Sequence, residues 1–171
     1  MSILNSVLKV FVGDKSKQDV KAIMPIVKEI KLFEPKIATL SNDELRAKTD
    51  EFKSKIQSAC AQHEEKIKQL REDINTISDI DQKEELYEEI DQLNDAIYST
   101  TQDVLNAILP EAFAVVKETA KRFVQNTTIR VTANAFDREI SGTQPYVTLD
   151  GDHALWANSW DAAGKPITWD M

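Results

Sequence analysis

The sequence predicts a mainly α-helical chain with a small antiparallel β segment near its end. Three observations carry that prediction. Apolar residues recur at Cys60, His63, Ile67, Leu70, Ile74 and Ile77 in steps of 3, 4, 3, 4 and 3, the spacing of a coiled-coil seam. A second stripe follows at Leu86, Ile90, Leu93, Ile97, Val104 and Ile108, so the two read as a long antiparallel helical hairpin. After Asn126 the period changes to alternation, and all three Trp fall in the last sixteen residues. Only four Gly and five Pro occur in 171 residues, which favours long helices over loops.

The elements follow in order. Residues 3–12 read as a short amphipathic helix, with Ile3, Leu4, Val7, Leu8 and Phe11 on one stripe and Gly13-Asp14 ending it. Two roles are open to it: docking on its own core, or lying at an interface or on a partner. Residues 17–33 read as a second helix that buries Val20, Ile23, Val27 and Ile30. Pro25 is expected to kink that helix or move its start, and Phe33-Glu34-Pro35 marks its exit. Ser41 and Glu44 have capping-box spacing and begin the third helix.

Ser78-Asp79-Ile80-Asp81 breaks the heptad pattern. Asp79 is placed to cap the returning helix, with Gln82 at the third position. Pro110 reads as the first residue of a further helix ending near Phe123. Its Ala112, Phe113, Val115, Val116, Ala120 and Phe123 suggest a core helix. Ile129, Val131 and Ala133 alternate with polar residues. Tyr146–Leu149 and His153–Trp156 read as a β-hairpin turned by Asp150-Gly151. Ala163-Gly164-Lys165-Pro166 suggests a second turn between Trp160 and Trp169, and the Trp residues are expected to form a small aromatic core. The resulting divisions are 1–36, amphipathic helices; 37–109, the hairpin; 110–127, a core helix; and 128–171, a Trp-rich β segment.

Charge is spread unevenly. The chain has a formal charge of −8: residues 1–36 carry seven Lys against four acids (+3), residues 37–103 eight bases against seventeen acids (−9), and the rest six against eight (−2). This argues against nucleic acid as the main partner and permits contact with an anionic membrane at the start only. The glutamates off the hairpin stripes read as a solvated face. His63 has no second His or Cys at ligand spacing and reads as a packing residue, as does the lone Cys60. One cysteine allows no internal disulfide and fits a reducing compartment. No apolar run reaches the ~18–20 residues that span a bilayer. Met1–Val12 lacks a basic first region and a cleavage site, so it is expected to be retained. No phosphate loop, dinucleotide fingerprint, nucleophile elbow or zinc-protease motif is present, so the chain alone reads as a non-enzyme.

Two strings carry a family resemblance. Phe33-Glu34-Pro35, followed by Leu40-Ser-Asn-Asp-Glu-Leu-Arg-Ala-Lys-Thr-Asp-Glu-Phe52, resembles the segment near the start of SecA proteins. Ile108-Leu-Pro-Glu-Ala-Phe-Ala-Val-Val-Lys-Glu-Thr-Ala-Lys-Arg122 resembles the helix that follows in that family. The resemblance implies a partial piece of an α/β helicase-type motor that couples ATP hydrolysis to protein translocation through the SecYEG channel. Two stretches, residues 57–104 and 123–170, depart from the family pattern as insertions.

The resemblance also implies partners and sites. In the family an amino-terminal amphipathic helix contacts channel and lipid; the matching positions here are Ile3, Leu4, Val7, Leu8, Lys9, Phe11, Lys15 and Lys17. Met171 is similar to the methionine before the adenine-reading glutamine, at the edge of the adenine pocket. No cofactor is expected on this chain; ATP and Mg²⁺ belong to the full-length parent. The implied partners are SecYEG, anionic phospholipid, the remainder of the SecA chain and the preprotein, at the cytoplasmic face of the cell membrane. Apolar surface left uncovered is expected, with self-association into a homodimer as one way to cover it. A different class of protein, a free-standing coiled-coil adaptor, would also explain the acidic hairpin and the missing motifs.

Overall fold

The computed structural model describes residues 3–168, with the side chains of residues 3–14 and 16 outside it. Among the described residues nine elements follow one another: α1 (Ile3–Ala38), α2 (Asn42–Thr76), α3 (Ile80–Gln125), β1 (Thr128–Thr132), α4 (Ala135–Ile140), β2 (Val147–Asp150), β3 (His153–Ala157), β4 (Ser159–Ala162) and β5 (Lys165–Thr168). They divide into two compact units. One comprises Met1–Asn42 with Pro110–Met171, and the other Asp43–Leu109. The chain is thus mostly helical with small antiparallel sheets, as its periodicities predict.

The helical hairpin forms the second unit. Ile67, Leu70, Ile74 and Ile90 make its buried seam, flanked by Leu86, Leu93 and Ile97. The heptad steps cause this, because a 3.5-residue repeat keeps one stripe turned toward the neighbouring helix. Asp79 caps α3 as expected, its Oδ1 accepting from the amides of Asp81 (2.9 Å) and Gln82 (3.2 Å). Cys60 is buried on the seam, its Sγ 3.4 Å from Thr101 Oγ1.

Five helix expectations are corrected. Residues 3–12 and 17–33 are not separate helices: α1 runs unbroken through Gly13, Pro25 and Pro35 to Ala38. An interior Gly costs about 1 kcal/mol and a Pro about 3 kcal/mol, sums that a 36-residue helix absorbs. The exit therefore lies after Phe33-Glu34-Pro35. The stripe expected to be buried is uncovered: Val20 and Ile23 are exposed, and Val27 and Ile30 only half-buried. Pro110 does not open a helix but lies buried inside α3. No Gly or cap precedes it, so α3 continues and forgoes one backbone bond. The wide face after Pro110 is core only in part. Ala114 and Val115 are buried, whereas Phe113 and Val116 are exposed, Val116 at 65%.

The sheets form from short alternating strands. β1, β3 and β2 lie in that order, antiparallel throughout, with Val131 opposite Ala154 and Val147 opposite Trp156. Ile129 and Val131 point inward and join Ala154, with Phe123, Ala133 and Trp156 packed against them. The first turn is one residue later than predicted. Asp150 pairs with His153 inside the ladder, and Gly151-Asp152 makes the turn. Gly151 has φ 59°, the positive first position that Gly supplies in a type II′ turn. β4 and β5 form a second hairpin around Ala163 (φ 53°) and Gly164 (φ 78°), the positive pair of a type I′ turn. Around the sheets, Tyr146 lies 4.9 Å from Trp160 and 6.1 Å from Trp156, between ring centroids. Trp169 lies outside the described residues.

Candidate functional site

The first unit holds two features that could act on other molecules or fix the surfaces that do: the middle of α1 and a polar junction at Arg122. At 100° per residue, Val20, Ile23, Met24 and Val27 share one stripe of α1. Lys17, Lys21 and Lys28 run along one flank of that stripe. Of these seven, all are exposed except Val27, which is half-buried. A helix with apolar residues turned to water and lysines beside them has the form of an interfacial or docking helix.

The other end of α1 is held firmly. Ile37 is fully buried, and Lys117 Nζ of α3 donates to Glu34 Oε1 of α1 at 2.7 Å. Beyond Lys117, α3 carries Glu118 and, one turn later on the same face, Arg122.

Arg122 ties three parts of the unit together. Its guanidinium donates to Leu40 O at 2.7 Å, Ala38 O at 3.5 Å and Asn42 Oδ1 at 2.8 Å. Asn42 Nδ2 then donates to Arg130 O of β1 at 3.1 Å. One side chain thus joins α3 to the link after α1 and, through Asn42, to the sheet. The planar fork of an Arg suits this, since it presents several donors in fixed directions.

Glu118 aims the fork by accepting from Arg122 Nε at 3.0 Å. Burial works to raise the Glu118 carboxyl, but hydrogen bonds and charge from Arg122 and Lys121 outweigh it and hold the group below its ordinary 4.5. A depressed carboxyl stabilises the fold above its unfolded value and loses that contribution as pH falls through the folded value. Glu118→Gln is therefore expected to lower the melting temperature at pH 7 and to approach the parent as pH falls through the lowered range in which the folded Glu118 carboxyl is protonated. Melting curves of both proteins across pH 3–7 check this; an offset that is unchanged at pH 3 rules it out.

The sequence-predicted site residues fall as follows. Ile3, Leu4, Val7, Leu8, Lys9 and Phe11 belong to α1, but their side chains lie outside the described residues. Lys15 and Lys17 are exposed on α1. Met171 lies outside the described residues. Sequence reasoning missed the roles of Arg122 and Asn42, whose partners are about 80 positions apart and leave no periodic trace. Among the described residues no group of three His, Cys, Asp or Glu could hold a metal ion, and no helix is long and apolar enough to cross a membrane.

The SecA DEAD-like domain family matches residues 8–144. The chain belongs to that family. A protein translocase subunit SecA from Christiangramia forsetii is 60% identical over 171 residues, which is 100% of this chain and 15% of that protein. The SecA of Flavobacterium psychrophilum is 56% identical over the same span, again 15% of its length. That of Parabacteroides distasonis is 43% identical over 159 residues, covering 93% of this chain and 14% of the relative. The chain thus spans about 15% of the SecA relatives it matches. No solved structure matches it. Residues 57–104 and 123–170, expected to be insertions, lie within the alignments to the first two relatives, which cover the whole chain, and the family match itself runs across the first of them. A free-standing adaptor does not account for this kinship.

Proposed function

We propose that this chain is the amino-terminal segment of a SecA motor, in which it supplies scaffold and a docking helix and leaves catalysis to the remainder. The observation that carries the docking role is the exposed stripe of Val20, Ile23 and Met24 with Lys17, Lys21 and Lys28 beside it. Apolar burial and attraction to anionic headgroups act on the same face of such a helix. The proposed partners are anionic phospholipid and the SecYEG channel at the inner face of the membrane, with the preprotein engaged by the full-length protein. The residues proposed for contact also include Ile3, Leu4, Val7, Leu8, Lys9, Phe11 and Lys15.

ATP and Mg²⁺ belong, on this reading, to the remainder of the SecA chain. The residues present do not suit them: the sequence has no Gly-x-x-x-x-Gly-Lys loop to cradle phosphates. The exposed Phe113, Val116 and Val124 of α3 support a further part of the protein packing there. A homodimer is the other proposed cover for that face.

Co-sedimentation with vesicles tests the docking role. The chain is expected to pellet with vesicles containing phosphatidylglycerol and to stay in the supernatant when mixed with neutral vesicles. Each lysine near an anionic surface contributes about 1 kcal/mol, so changing Lys17, Lys21 and Lys28 to Gln should weaken binding roughly a hundredfold. Removal of residues 1–12 is expected to weaken it as well. Unchanged sedimentation of both variants would remove the membrane role.

A further inference from the structure

The hairpin carries a second, uncovered seam. Ile80, Tyr87, Asn94, Tyr98 and Leu105 follow one another on α3 in steps of 7, 7, 4 and 7, and fall within roughly 40° on the helix wheel. This stripe lies about a quarter-turn from the buried one. Tyr87 is 55% exposed, Tyr98 69% and Ile80 79%. Beside it an open groove of about 550 Å³ runs between α2 and α3, with Ile67 and Ile97 at its base and Asn94 on its α3 wall.

We propose that this groove docks an amphipathic, lysine- or arginine-rich helix of a partner protein, which would complete a three-helix coil. The shape favours a helix, because two antiparallel helices present the ridges and grooves into which a third one packs. Charge sets the partner's chemistry. Glu84, Glu88, Asp91 and Asp95 form an exposed stripe along the outer side of the Tyr87–Tyr98 seam, and none of the four has an ion-pair partner among the described residues. Residues 80–109 carry eight acids against one Lys. The opposite wall is mixed, with Glu64 and Glu72 beside Lys68 and Arg71. The docked helix therefore needs its basic flank toward α3, which fixes its rotation. Asn94, polar within an apolar seam, fixes its register. A second copy of the hairpin is disfavoured, since each carries a net charge of −9, and an anionic lipid or nucleic acid is repelled for the same reason.

The test uses the 171-residue chain and a labelled helical peptide of about six turns, with Leu along one seam, one central Asn, Lys on one flank and Gln on the other. Fluorescence anisotropy is expected to show saturable micromolar binding. Tyr87→Ala with Tyr98→Ala should weaken it at least tenfold, as should Glu84→Lys with Asp91→Lys. A peptide of the same composition with its seam scrambled should also bind at least tenfold more weakly. Equal binding of the scrambled peptide, indifference to both double variants, or no saturation would overturn the proposal. A dimer in sedimentation velocity that the tyrosine variant abolishes would assign the face to a second copy and overturn the partner reading.

Discussion

Leu70→Ala is expected to destabilise the hairpin by about 2–4 kcal/mol, the loss seen when a buried Leu is cut back and its cavity only partly collapses. Leu70 is 3% exposed and sits among Ile67, Ile74 and Ile90. Within its own unit the hairpin has no further layer behind this seam, so neighbouring side chains can settle inward and the cost falls short of the ~5 kcal/mol extreme. Against a typical domain stability of about 5–15 kcal/mol, the effect is large. Two probes read it. All three Trp lie at 156, 160 and 169, outside the hairpin, whereas ellipticity at 222 nm follows the helices. In urea the ellipticity midpoint of the variant should fall below its Trp fluorescence midpoint. Coincident midpoints, both unchanged from the parent, would show that Leu70 is not part of a seam the hairpin depends on.

The hairpin was legible because burying one stripe of a helix leaves a periodic mark on the sequence. Cys60, Ile67, Leu70 and Ile74 keep that period, and all are buried. The turn at Asp79 was legible for a local reason: the capping oxygen and the amides it serves are two and three residues apart. Breaks were over-read. Gly13, Pro25 and Pro110 look like boundaries, yet Gly13 costs only backbone entropy and each Pro only a local loss of helix hydrogen bonding, and α1 and α3 pass through them. Exposure was also misjudged. A periodic stripe such as Val20 and Ile23 says that a face is apolar, not that this stretch of chain supplies its cover. The junction at Arg122 was not legible, since its contacts join residues about 80 positions apart, and of α4 only the local Asn134–Asp137 cap had a sequence signal, which was not read, whereas its tie to Trp156 had none.

α4 shows this most sharply, and its key residue carries the second large effect. Asp137 is fully buried. One carboxylate oxygen accepts from Trp156 Nε1 at 3.1 Å and the other from the Asn134 amide at 2.9 Å, while Asn134 Oδ1 accepts from the Asp137 amide at 2.9 Å. The last two bonds form a reciprocal capping box, here with Asp at the third position, where Glu or Gln is usual. The first bond fastens that cap to β3, nineteen residues on. Asp137→Ala removes both acceptors and leaves the indole and the Asn134 amide without them. Hydrogen bonds to a charged group contribute about 1.5–3 kcal/mol each, and partial access of water to Trp156 offsets some of the loss, so about 2–4 kcal/mol is expected. Asp137→Asn retains one carbonyl oxygen and turns an NH₂ toward the second donor, so it can serve only one of the two. It should recover no more than about half of the loss. Urea titrations followed by Trp fluorescence measure both variants. If the Ala variant matches the parent within about 0.5 kcal/mol, the carboxylate does not hold α4 to the sheet; if Asn restores full stability, the second acceptor is dispensable.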